Sequence, residues 1–246
     1  MIKAVLYILI VTASVAGIQA FSVKFPVFTM TSATFLSSTS STIIGEVDTE
    51  EAFAKSTFPI GPNDLIARAK SILSPEIGVG TKDGGACLAD DFEFVAAVVG
   101  PIPKEEYLDA LGSFKLEESF DIKHNYFGFN VDPLQNNRVW FFDKQVSTHI
   151  APFVGVEADN KVLELPPQVF HMDFNDDGLL KEFGFYTVDR RQGNTGGLGG
   201  AFGYFYGVGR PLPIPECQPF KKSFRFRMLG LIGKLGKSIS NLKGNK

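Results

Sequence analysis

Proton transfer is the chemistry that the polar residues of this chain suit best. Alternation along a strand from residue 139 to 149 places Val139, Phe141, Asp143, Gln145, Ser147 and His149 on one face. On a later strand, Val169, His171 and Asp173 share a face, and earlier His124 and Tyr126 share one. A histidine beside a carboxylate, with a tyrosine hydroxyl as acid or oxyanion donor, suits proton abstraction next to a carbonyl or a dehydration. His149, His171, Asp143 and Tyr126 are therefore the candidate catalytic residues. The alternative is that the histidines face solvent or serve as hydrogen-bonded structural groups.

Other reaction classes lack their signatures. The chain contains no His-Glu-x-x-His, Cys-x-x-Cys, Gly-x-Ser-x-Gly or Walker loop, and Cys87 and Cys217 stand too far apart for a metal spacing. No metal and no cofactor are expected. Asp173, Asn175, Asp177 and Gly178 match the start of a calcium loop, but its twelfth position is Gly184 rather than Glu, so the segment reads as a hairpin turn. The glycine run from residue 193 to 209 has no Gly-x-Gly-x-x-Gly window. Its aromatics, Phe202, Tyr204 and Tyr206, read as a flexible flap over a binding site, with a grooved helix as the alternative. Arg190 and Arg191 are placed to anchor an anionic group at the mouth of that site, although Asp189 beside them also suits a surface ion pair.

Charge is divided unevenly. All 27 acidic residues fall between Glu46 and Glu216, where 14 Lys or Arg leave a net charge of −13; residues 217–246 carry eight Lys or Arg and no acid. An acidic body argues against nucleic acid as the main partner, because phosphate contacts need a basic face, and leaves the tail as the one candidate surface for a polyanion. The basic tail has helical periodicity: Phe224, Met228, Leu231, Ile232, Leu235, Ile239 and Leu242 form one apolar stripe, with Arg227, Lys234 and Lys237 elsewhere. Such a helix suits a membrane interface, with Phe224, Arg227, Met228, Leu231, Lys234 and Leu235 as contact residues; docking on the acidic body is the alternative.

The opposite end reads as an address. Lys3, an apolar stretch over residues 4–17 and small residues up to Ala20 have the layout of a secretory signal peptide. Nine Ser or Thr follow between Ser22 and Ser40 without an acid, the composition of a transit peptide. The junction Ala20-Phe21 resembles the bipartite plastid presequence of algae with complex plastids. Plastid localisation is thus expected, with secretion as the alternative.

These residues need a scaffold. Pro62 and Asn63 open a helix that Pro75 ends, and Pro103 opens a second. Strands are expected over residues 91–99, 119–130, 138–151, 162–174 and 179–190. Helices followed by a run of antiparallel strands indicate an α+β layer. The stretches LADDFEFVAAVVGPIPKEEYL, FDIKHNYFGFNVDPLQNNRVWFF and VDRRQGNTGGLGGAFGYFYGVGRPLPIPE resemble uncharacterised algal proteins of the SnoaL-like branch of the NTF2-like superfamily. That resemblance covers roughly residues 60–220, between a Ser/Thr-rich segment at 21–50 and the tail at 221–246. It implies an α+β cone, a curved antiparallel sheet with helices on its concave side, and a cavity for a small hydrophobic ligand; it also allows a homodimer. Three functions fit: a plastid binder of a pigment, isoprenoid or lipid; an isomerase, cyclase or dehydratase using a His-Asp pair; or an assembly factor of a plastid membrane complex.

Overall fold

The chain divides into two units, Met1–Glu46 and Val47–Lys246. In this computed structural model the described residues are 44–114, 116–219 and 221–243, so the signal and transit segments read from the sequence lie almost wholly outside them. The second unit holds the elements that follow.

Two short segments lead into the sheet. α1 (Thr49–Ala54) is capped by Asp48, whose side chain accepts from the Glu51 N–H. α2 (Pro62–Ile72) starts with proline in its first turn, where the missing N–H costs nothing, and turns Leu65, Ala69 and Ile72 inward. Next come β1 (Leu88–Phe94), β2 (Ile102–Pro103), α3 (Lys104–Phe114) and α4 (Leu116–Ser119). The meander consists of β3 (Phe120–Lys123), β4 (Tyr126–Val131), β5 (Arg138–Asp143), β6 (Val146–His149), β7 (Val162–Glu164), β8 (Gln168–Phe174) and β9 (Leu180–Thr187). α5 (Gly200–Gly207), a 3-10 turn at Pro215–Cys217 and α6 (Phe224–Lys243) complete the unit.

Three of the long strands expected from the sequence, those over residues 119–130, 138–151 and 162–174, are broken between two sheets. β2-β1-β9-β8-β5-β4 form a six-stranded sheet, and β3-β6-β7 form a three-stranded one. All neighbouring strands run antiparallel except the parallel β1 and β9. The chain passes from one sheet to the other at His124-Asn125, Lys144-Gln145 and Leu165-Pro166-Pro167. Proline cannot supply the ladder N–H, which accounts for the third break. At the first two, Asn125 Nδ2 donates to the Lys144 carbonyl at 2.6 Å, so a side chain replaces ladder bonds.

Two cores result. In the larger, Leu65, Ala69 and Ile72 of α2 and Tyr107 of α3 pack on Phe92, Val139, Phe141, Met172, Phe174 and Phe183 of the six-stranded sheet. Full burial of each of the larger of these side chains is worth roughly 2 kcal/mol. The smaller core joins Phe120, Leu163 and Leu165 of the second sheet to Tyr204 and Phe205 of α5. The expected aromatic flap is therefore a packed helix. Gly207 permits this approach, because a Cβ there would lie 2.7 Å from a Leu163 methyl.

The Asn175-Asp176-Asp177-Gly178 segment is a turn, as read from the sequence. Gly178 takes φ +74° and donates to the Asn175 carbonyl, while Asn175 Oδ1 accepts from the Asp177 and Leu179 N–H groups. Asp173, the first calcium-loop position, is instead committed to Arg138. Both cysteines are buried free thiols, and burial together with Asp83 pushes Cys87 up to about 12.

Candidate functional site

The break between the two sheets concentrates the polar groups. Register across the β4–β5 hairpin places Tyr126 opposite Asp143, at the last pair before the ladder opens. Asp143 points inward and is 1% exposed, and its carboxylate accepts from the Asn125 N–H at 2.8 Å. Its other oxygen lies 2.6 Å from His124 Nδ1. A carboxylate oxygen accepts, so Nδ1 is the donor in this contact and Nε2 is left on the open side of the ring. The His124 ring is 40% exposed, stacks on Tyr126 at 4.7 Å and has the Gln145 amide nitrogen 3.4 Å from both ring nitrogens.

Two tyrosines complete the cluster. Burial, then the Asp143 charge and Tyr204, push the Tyr126 hydroxyl above the ordinary phenol value. Tyr204 is likewise raised by burial and by Asp143, an effect that its 2.7 Å hydrogen bond with Ser147 opposes. Both phenols stay protonated at neutral pH and remain hydrogen-bond donors. The arrangement therefore offers a base nitrogen held by a buried anion, with neutral O–H donors nearby.

The other sequence candidates lie apart from this cluster. His149 occupies the inward face of β6 but pairs with Asp159 at 3.0 Å rather than with Asp143. It stacks on Phe120 in the smaller core, and its Nε2 is buried without a hydrogen-bond partner among the described residues. His171 lies on the opposite face of the six-stranded sheet from Phe170 and Met172, between Trp140 and Tyr186, and donates from Nε2 to Glu182 at 2.8 Å. The structure thus does not bring His149, His171 and Asp143 together. Arg191 is committed to Asp189, whereas Arg190 borders an open crevice of about 340 Å3. Tyr204 is buried, and Phe202 and Tyr206 are half-buried on α5. A second open crevice, of about 710 Å3, lies at the hairpin end near Asn136 and Asp176. Neither crevice touches His124 or Asp143, and the aromatic side chains of the larger core pack ring on ring, as between Phe141 and Phe170 at 5.3 Å.

His171, Asp173 and Glu182 have metal-ligand chemistry and lie within 4.8 Å of one another. Arg138 already supplies the positive charge there: its guanidinium binds Asp173 through two nitrogens and reaches Glu182 at 3.1 Å. These residues fit an ion network better than a metal centre.

Several solved structures resemble part of this chain. AclR, a candidate hydroxylase from Streptomyces galilaeus, is 13% identical and matches 50% of this chain and 78% of its own, with a TM-score of 0.42. A candidate SnoaL-like polyketide cyclase from a Jannaschia species is 17% identical over 54% and 88%, with a TM-score of 0.40. The architecture itself is α+β. A candidate ketosteroid isomerase from Kribbella flavida, 13% identical over 52% and 80% at a TM-score of 0.37, is similar in the same way. No family model and no curated protein matches the chain. At such identities and TM-scores these are partial likenesses and assign no function to this chain.

The three histidines differ in access, which chemical labelling reads directly. Diethyl pyrocarbonate on the native protein is expected to acylate His124 first, with His149 and His171, both 0% exposed, protected until unfolding. Peptide mass spectrometry over time checks this; early labelling of His171 would show that its aromatic cover opens.

His171 also makes stability depend on pH. Burial lowers its affinity for a proton, and Arg138 adds to this against the opposing Glu182 hydrogen bond. The unfolded histidine binds a proton near pH 6.5 while folded His171 does not. Its stabilisation is therefore present above pH 6.5 and is lost as pH falls through the lower folded value, by at most about 1.4 kcal/mol per pH unit. Denaturant titrations at pH 7.5 and 5.5 should show this decline, reduced in His171→Phe.

Among the sequence candidates, His124 was the residue left out of the catalytic set. Counting the hairpin register back from Val131 and Val139 would pair Tyr126 with Lys144; a register shift between Phe127 and Asn130 sets Tyr126 opposite Asp143 instead, so residue spacing alone does not point to His124.

Proposed function

We propose that this protein binds a small hydrophobic molecule beside the break between its two sheets and moves a proton on it with the His124–Asp143 pair. The carrying observation is the 2.6 Å contact between a buried carboxylate and an exposed imidazole. His124 Nε2 takes a proton from carbon next to a carbonyl, Asp143 stabilises the imidazolium that forms, and the neutral Tyr126 hydroxyl donates to the developing oxyanion. Return of the proton to a different carbon gives an isomerase, and loss of hydroxide gives a dehydratase. The ligand class remains that of pigments, isoprenoids and lipids, supported by the 24 phenylalanines and the SnoaL-like resemblance.

Location and contacts belong to the same reading. The signal-plus-transit composition of residues 1–45 supports a plastid address. The C-terminal helix, basic and apolar by turns, touches a membrane; no helix among the described residues is long and apolar enough to cross one. Pairing of two copies through the outer sheet face is supported by the row Phe127, Phe142, Val169 and Tyr186, which crosses four strands.

The test is to incubate the full chain with a plastid lipid and pigment extract in deuterated buffer, repurify it and weigh what stays bound. One retained carbonyl compound carrying deuterium is expected. Asp143→Asn keeps an acceptor for the Asn125 N–H but removes the charge, so it should retain the compound and lose the exchange. Exchange that persists in this variant would sink the proton-transfer reading. A folded protein that retains nothing would favour the assembly-factor function.

A further inference from the structure

Unpaired cations gather where the domain ends and α6 begins. The crevice of about 340 Å3 is walled by Val98, Pro215 and Pro219 and edged by Arg190 and Lys221, with Glu216 also on its border. Arg190 and Lys221 are exposed and make no ion pair among the described residues, unlike Arg191, which Asp189 holds. Three residues beyond Lys221 the chain enters α6. There Phe224 is 76% and Leu229 66% exposed, and Phe226, Met228, Leu231 and Ile232 are exposed as well. Neither the acidic body nor any other described segment covers them. Residues 217–246 contain eight Lys or Arg and no acid.

We propose that this crevice seats the phosphate-bearing headgroup of an anionic lipid while α6 lies beside it in the plane of the bilayer interface. The inference rests on the membrane contact proposed above and names the lipid class and the residues that read it. The occupant follows from charge and polarity together. Two free cations beside apolar walls suit a phosphate with its glycerol root. A helix with cations flanking an apolar stripe gains from acyl-chain contact and from an anionic surface at once. A soluble anion would satisfy Arg190 and Lys221 but leave six large apolar side chains in water, whereas a lipid surface satisfies both. Glu216 opposes an anion in the crevice and so keeps the affinity moderate.

Vesicle flotation of the full chain tests this, using phosphatidylcholine with and without phosphatidylglycerol. Binding should be strong only with phosphatidylglycerol and should fall with salt. Arg190→Ala with Lys221→Ala should weaken it on the order of 20-fold, about fivefold per cation, and Glu216→Gln should strengthen it. Both sets of substitutions are on exposed side chains and should leave the fold intact, which circular dichroism checks. Equal flotation on neutral and anionic vesicles would overturn the headgroup assignment while leaving membrane contact standing. Absence of flotation on either would remove both. Anionic binding indifferent to Arg190 and Lys221 would assign the charge reading to α6 and overturn the crevice. Thermal stabilisation by inorganic phosphate without vesicle binding would make the crevice a free-anion site, and self-association abolished by α6 deletion would give the helix to a second copy; either result overturns the lipid assignment.

Discussion

Arg138→Met should lower the free energy of unfolding by about 3 kcal/mol, the scale for removing one partner of a buried ion pair. The Arg138 side chain is only 20% exposed, lies between Asp173 and Glu182, and rests against the Trp140 ring. Asp173 is itself buried, and its second oxygen also accepts from the Gln135 amide. Methionine replaces the stem but leaves two carboxylates facing each other beside a neutral histidine, with no cation to balance them. The cost comes from stranded charge rather than from the lost attraction, so a second change should recover much of it. Arg138→Met combined with Asp173→Asn is accordingly expected to be more stable than Arg138→Met alone. Chemical denaturation of the two variants measures the difference; equal stabilities would mean that water reaches Asp173 and screens it.

Gly184→Ala should be at least as damaging, costing roughly 3 kcal/mol or preventing folding, at or beyond the upper end for overpacking. Gly184 lies in β9 at a non-positive φ, so its backbone would accept any residue; the obstacle is space. A Cβ there would stand 1.7 Å from the Val95 carbonyl oxygen and 2.6 Å from His171 Cε1. Val95 donates its N–H to the Phe183 carbonyl, which holds that segment down at the edge of the sheet. Backbone must therefore move, and the cover over His171 must move with it. Gly230→Ala is the contrast: no atom lies within 4 Å of a Cβ at Gly230, and alanine there should strengthen α6 by up to about 1 kcal/mol. Thermal melts of the pair check both outcomes, and a well-folded Gly184→Ala protein would show that the strand end at Val95 is mobile.

Several features were legible in the residues because they depend on local rules. Pro62 and Pro103 marked where α2 and α3 begin, and Asn175 to Gly178 marked a turn, since these residue types fix φ or satisfy local N–H groups. Period two correctly grouped Asp143, Ser147 and His149 as one buried face. The same rule grouped His171 with Asp173, but it gives only a shared face and not which face is inside. Both faces of β8 carry apolar residues, and the choice came from α2 and α3 covering Phe170, Met172 and Phe174 instead.

The α+β order of helices and meander, the inward row along β5 and β6, the acidic body and the basic tail could all be read from the residues. Each is a matter of local propensity, side-chain parity or composition. Long-range packing settled that three of the long strands break between the sheets, that α5 packs as a helix on the second sheet, and that His124 rather than His149 meets Asp143. Those outcomes depend on hydrogen bonds and packing between residues distant in sequence. The Asn125 side chain replaces ladder bonds to Lys144, Asp143 receives the Asn125 N–H, and the opened ladder turns the His124 ring onto the same carboxylate. A buried anion takes whichever donors the folded chain brings within reach, and the bend brings His124.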